Sequence, residues 1–228
     1  MRHHAFLIRW TRLTWGILVS ACALAALGTS VAQASPPCHV PSTAYPTIQS
    51  AINDDTCDTI NVAAGTYTEN VFIRRSVTIR GADEATTIVD GGGNGTVFEI
   101  FATGGVTIKN VTIRNGASGG TGGGIDMCCT ASLTLLNSTV SGNHANGEGG
   151  GIFVCCGSSL TIQNSTISDN HTDSEGGGIF GCCGGSLTLQ NSTVSDNSAG
   201  TTGGGIVAIA GIEVSLTRTE VVNNTPNN

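Results

Sequence analysis

The chain has 228 residues, of which 33 are glycine and 11% are charged, with a formal net charge of −7. Its 39% hydrophobic share and low charge exclude an intrinsically disordered chain. Glycine lacks the every-third-residue period of collagen, and the abundance of Gly, Thr, Ser and Asn excludes a coiled coil, leaving an all-β or low-complexity chain.

The first predicted element is a secretory signal peptide over residues 1–34. Arg2, Arg9 and Arg12 form its basic region, Leu13 to Leu27 its apolar stretch, and Ala32-Gln33-Ala34 its cleavage pattern. Val19-Ser20-Ala21-Cys22 offers the alternative of a bacterial lipobox with a lipid on Cys22. Either route predicts a secreted, extracellular or outer-envelope location, with membrane contact only through the leader or a lipid. Cleavage removes three arginines, leaving six basic and sixteen acidic residues, net −10. An acidic chain without a Lys/Arg cluster argues against nucleic acid as a partner.

Residues 35–60 are predicted to form an N-terminal cap. Ile48, Ala51 and Ile52 have the spacing of one helix face. Cys38 and Cys57 flank this helix, and in a secreted chain they are expected to form a disulfide.

Residues 61–228 carry an internal repeat. Gly122-Gly123-Gly124-Ile125 returns at Gly149 to Ile152, Gly176 to Ile179 and Gly203 to Ile206, a step of 27 residues. Leu133, Leu160, Leu187 and Val214 form an apolar column at the same step. So do Ile108, Leu135, Ile162, Leu189 and Leu216, and Ile113, Val140, Ile167, Val194 and Val221. SLTL and STVS alternate at the strand period of two. Three short strands cannot bury an apolar face alone, but coils stacked about 4.8 Å apart bury every column. The fold class predicted is an all-β parallel β-solenoid of about six coils, with no evident cap at Thr225-Pro226-Asn227-Asn228.

Asn110, Asn137, Asn164 and Asn191 recur between the strands and are expected to form an amide ladder. Three of them also match the N-glycosylation sequon. Arg218 stands at this position in the last coil, so the ladder is expected to end there.

These repeats resemble right-handed parallel β-helix proteins of the pectin-lyase-like type. GGGI and STVSDN are similar to the GGAI and FxxN repeats of bacterial polymorphic outer-membrane proteins, with Val194 or Ile167 in place of the Phe. Tyr45-Pro46-Thr47-Ile48-Gln49-Ser50-Ala51-Ile52, Gly65-Thr66-Tyr67-Thr68-Glu69 and Ser76-Val77-Thr78-Ile79-Arg80-Gly81 resemble the start of pectinesterases. The resemblance implies a right-handed coil, with SLTL as second strand, STVS as third and GGGI opening the first strand of the next coil. It also implies that the turn before the first strand, and that strand's outer face, line any substrate groove.

Six further cysteines, Cys128, Cys129, Cys155, Cys156, Cys182 and Cys183, form two columns of three. Inter-coil bridges, vicinal bridges, stacked thiols and a metal site are all open. Strand alternation from Ile125 points the first column outward, whereas its apolar neighbours Phe101 and Ile209 point it inward.

The glycine triplets precede no helix, so they are not phosphate loops; they suit a tight turn into the first strand. The turns 141–148 and 168–175 hold the polar candidates. Stacking brings His144 over His171, Glu148 over Glu175 and Asp169 over Asp196. Asp126, Phe153 and Phe180 are expected on the outer face, where stacked rings beside carboxylates suit a sugar or a Ca²⁺ ion. No cofactor is expected beyond this candidate Ca²⁺. Pectinesterase and epimerase signatures are absent from the sequence, the basic residues form no clear lyase base, and no G-x-S-x-G stands in the strand–turn–helix context of a nucleophile elbow. The expectation is a binding or structural, adhesin-like protein facing a glycan or another surface protein. The alternative is a polysaccharide lyase or glycoside hydrolase using Asp169, Asp196, Glu148 or Glu175.

Overall fold

The computed structural model describes residues 37–226. The predicted leader, its cleavage site and Cys22 lie outside the described residues. Every pairing between named strands is parallel, and each strand bonds to its counterpart one turn away (for example Leu133↔Leu160, Ile125↔Ile152, Val140↔Ile167). The result is a β-solenoid of about six turns at 27-residue spacing.

Three long ladders run its length. The six-stranded sheet holds the first strand of each coil: Val71–Ile73, Phe98–Ile100, Ile125–Met127, Ile152–Val154, Ile179–Gly181 and Ile206–Ala208. The second strands belong to an eight-stranded sheet that includes Gly105–Lys109, Ser132–Leu136, Ser159–Gln163, Ser186–Gln190 and Glu213–Thr217. The third strands, such as Thr139–Ser141 and Thr166–Ser168, form a seven-stranded sheet.

A fourth ladder was not among the three strands expected per coil. It joins Ala117–Ser118, His144–Ala145, His171–Thr172 and Ser198–Ala199. Two residues are too few to show a period-two pattern, so this ladder has no signature in the sequence.

The apolar columns are the core. Leu133, Leu135, Leu160, Ile162, Leu187 and Leu189 are all buried, as are Ile125, Ile152 and Ile179. Truncating one such Leu to Ala costs about 2–5 kcal/mol. The final coil differs, since Val214, Leu216 and Val222 are exposed there.

Buried polar ladders accompany the core. Ser138, Ser165 and Ser192 stack beneath the turns; for example, Val111 N donates to Ser138 Oγ and Ser138 N to Ser165 Oγ. Asn143, Asn170, Asn197 and Asn224 form a second ladder, each 4% exposed or less. Asn170 Oδ1 accepts from Asn143 N at 3.1 Å and Asn143 Nδ2 at 3.0 Å, while Asn170 Nδ2 donates to Val140 O at 3.0 Å. These partners satisfy backbone groups at turns that would otherwise be buried without hydrogen bonds.

The expected ladder of Asn110, Asn137, Asn164 and Asn191 also forms, but on the surface side of left-handed turns (φ between 47° and 57°). Its amides donate along the stack at 3.2–3.4 Å. The ladder does not end at Arg218 as expected. Arg218 also has a positive φ, 48°, and its Nη1 donates to Asn191 Oδ1 at 3.4 Å.

The glycine triplets meet two separate demands. Gly149 has φ 72°, a conformation that disfavours a side chain. At Gly150 a Cβ would overlap the carbonyl oxygen of His171 in the next coil.

At the N-terminal end, helix Ile48–Ile52 buries Ile48, Ala51 and Ile52 against the first strands. Thr47 and Ser50 form a capping box. Both Glu69 carboxylate oxygens accept from the helix N-terminus, at Ile48 N and Gln49 N, each 3.0 Å. Arg75 closes the other end, donating to Ile52 O at 3.0 Å and to Asp54 O and Cys57 O at 2.9 Å. Opposite charges thus sit at the two helix ends where its free backbone groups attract them. A disulfide joins Cys38 and Cys57, Cα atoms 5.6 Å apart.

Candidate functional site

The outer face of the first-strand sheet carries side chains that vary in its first coils and repeat farther along, as in Phe153 and Phe180 and in Cys128, Cys155 and Cys182. One outward column runs Phe72, Glu99, Asp126, Phe153, Phe180, as the strand pairing fixes. Beside it run Arg74, Phe101, Cys128, Cys155 and Cys182.

At the N-terminal end of this face, Phe72, Arg74, Glu99 and Phe101 line a surface depression. Phe72 and Phe101 pack with centroids 5.3 Å apart and planes tilted by 43°. The Arg74 guanidinium lies over the Phe72 ring, 4.4 Å from its centroid, which adds a cation–π attraction. Aromatic carbon, a guanidinium and a carboxylate therefore share one patch. Of these four, Phe101 was noted from the sequence only as continuing the Cys128 column, and none was read as a candidate site residue.

Asp126 continues the column. Its carboxylate accepts from Thr121 Oγ1 at 2.8 Å. Burial pushes its pKa up to about 6, with the Thr121 hydrogen bond pulling it back and the Glu99 charge adding to the rise. Phe153 and Phe180 stack in the next two coils, centroids 5.7 Å apart and planes 5° from parallel. The two rings of this stacked pair differ in exposure. Phe180 is 5% exposed, because the preceding turn lies against it, with a Cβ on Gly176 placed 2.8 Å from the Phe180 Cβ. Phe153 is half-buried and is the ring of this pair that faces solvent.

The polar turn residues divide into two groups. His144 and His171 stack, ring centroids 5.2 Å apart and planes 10° from parallel. Glu148 and Glu175 occupy equivalent turns, with Gly149 N donating to Glu175 O at 3.0 Å. Asp169 and Asp196 follow the paired Ser168 and Ser195 and have φ 57° and 58°. Among the described residues, no hydrogen bond or ion pair joins the side chains of Asp169, Asp196, Glu148 and Glu175 to one another or to a basic group.

The cysteine columns follow strand alternation. Met127 and Val154 point inward and are fully buried, so Cys128 and Cys155 lie on the outer face. Cys129, Cys156 and Cys183 take left-handed turn positions (φ 66°, 56° and 63°) and are exposed. All six are free thiols, in close contact: Cys155 Sγ lies 3.1 Å from Cys156 Sγ and 3.8 Å from Cys128 Sγ. Burial raises Cys128 to about 11 and Cys182 to about 12. Cys156 moves the other way, its thiolate stabilised by hydrogen bonds from Cys155 and Cys128.

Residues 59–225 match the family model described as the right handed beta helix region. The chain belongs to this family. The solenoid is accordingly a right-handed parallel β-helix, as the repeat resemblance implied. No curated protein and no solved structure matches the chain. No helix among the described residues is long and apolar enough to cross a membrane.

Proposed function

We propose that this β-helix is an extracellular, adhesin-like module that binds a glycan along the outer face of its first-strand sheet. The observation that carries this reading is the Phe72–Phe101 pair with Arg74 over one ring and Glu99 at its edge. Aromatic faces cover the apolar faces of sugar rings, and the charged groups reach their hydroxyls. Asp126 and Phe153 extend the same strip coil by coil, so it suits an extended saccharide lying along the axis. A neutral or mixed-charge glycan fits better than a polyanion, because acidic residues outnumber basic ones.

A second reading has its own support. Glu99 and Asp126 are paired neighbours on adjacent coils, a separation of about 5 Å that is close to that of retaining glycosidases. Asp126, with its raised pKa, has the character of a general acid.

Incubating the whole protein with a polysaccharide panel separates the two. The binding reading expects retention of at least one glycan, no product release, and weakened retention in Phe72→Ala and Phe101→Ala. Product release that disappears in Asp126→Asn would establish the enzymatic reading instead.

A further inference from the structure

The fourth ladder brings together donors of another kind. Its register sets His144 directly beside His171. Nε2 of each ring lies 3.3 Å from the same carboxylate oxygen, Asp173 Oδ1. The three donor atoms all lie within 4.8 Å of one another. A tetrahedral zinc ion holds nitrogen and oxygen donors at about 2.0–2.1 Å, which sets those donors about 3.3–3.4 Å apart. The two measured separations have that value.

A neighbouring contact can orient the His171 ring. Nδ1 of His171 lies 2.8 Å from Ser198 Oγ. When Nδ1–H donates to that hydroxyl, the Nε2 lone pair faces Asp173. In that tautomer the Nε2 lone pair is free to ligate a cation held jointly with the Asp173 carboxylate. A hydrogen bond to the distal ring nitrogen is also the usual way in which a metal-ligating imidazole is oriented. Ca²⁺ takes six to eight oxygen donors, so it is the poorer match to two imidazoles and one carboxylate. Divalent ions of the zinc class accept this set readily.

We propose that His144, His171 and Asp173 form a surface site for a divalent transition-metal ion. The side chains are 39%, 48% and 58% exposed, so the remaining coordination positions face solvent and are open to water or an external ligand. The site is separate from the glycan strip and does not depend on that reading.

The test is a titration of untagged, chelator-stripped whole protein with Co²⁺, followed by competition with Zn²⁺. The cysteine row is a competing sink, but cobalt on thiolates gives a strong near-ultraviolet charge-transfer band. The expected result is one equivalent with visible absorption and no thiolate band, displaced by Zn²⁺ and not by excess Ca²⁺. That equivalent disappears in His144→Ala and in His171→Ala, and is weakened about 10- to 100-fold in Ser198→Ala, which alters only the orienting contact. Asp173→Asn keeps the side-chain shape and also weakens it, and circular dichroism confirms that each variant is folded. Absence of any thiolate-free equivalent in the parent protein overturns the proposal. So does an equivalent that persists in the double His144→Ala/His171→Ala variant, or one that Ca²⁺ displaces.

Discussion

At Asp126 burial and charge oppose each other. The side chain sits between Glu99 and Phe153 on adjacent coils, with a single hydrogen bond from Thr121. Its folded pKa of about 6 lies above the ordinary 3.8. The stability contributed by the protonated form is therefore fully present below about pH 4 and is lost as the pH rises through about 6. Asp126→Asn keeps an acceptor for Thr121 and removes the charge. The variant should match the parent in unfolding free energy near pH 4 and exceed it at pH 7 by about 1–2 kcal/mol after solvent screening, read from denaturant titrations. A parent that gains on the variant as pH rises would show that the carboxylate is better stabilised than its burial suggests. A second residue-scale expectation concerns the thiols. Cys156 is exposed and its thiolate is stabilised, whereas Cys155 is buried and raised. Thiolates are the reactive form, so peptide mapping after brief alkylation at pH 8 should find Cys156 modified well before Cys155. The reverse order would contradict the arrangement.

Among the elements, the two asparagine ladders make a matched pair. Asn164 is exposed at a left-handed turn, and Asn170 is buried at another with bonds to three neighbouring residues. Asn170→Ala strands several buried groups, each worth about 1–3 kcal/mol, and should cost at least about 3 kcal/mol. Asn164→Ala should cost about 1 kcal/mol, mostly for the left-handed backbone. Denaturant titration of the two variants measures the difference, and equal losses would refute the assignment of the buried ladder. The apolar columns and the surface ladder were legible because both repeat at 27 residues. The buried ladder repeats at the same step, as the Asn of STVSDN, but period alone does not separate a buried amide from an exposed one. The fourth ladder was hidden for another reason, because two residues carry no alternation. Arg75 and Glu69, which hold the helical cap at both ends, were invisible because their partners lie 18–24 and 20–21 residues away.

At the scale of the whole molecule, inside and outside follow different rules. The interior repeats because each coil must match the coil beside it, so the fold could be read from the sequence. The outer face of the first-strand sheet is freer to vary, and its first coils carry Phe72, Glu99 and Asp126 in one column before Phe153 and Phe180. A binding strip of this kind becomes visible only once the coils are stacked. The candidates drawn from the polar turns fared unevenly. His144 and His171 converge with Asp173 between them, whereas Asp169 and Asp196, like Glu148 and Glu175, hold equivalent turn positions on adjacent coils. The most direct test of a non-catalytic glycan strip is the affinity of the whole protein for polysaccharides, measured by calorimetry beside Phe72→Ala and Phe101→Ala. Saturable binding without product release, weakened about tenfold by loss of either ring, is the predicted result. Binding indifferent to both rings, or no binding across neutral and acidic polysaccharides, would contradict it.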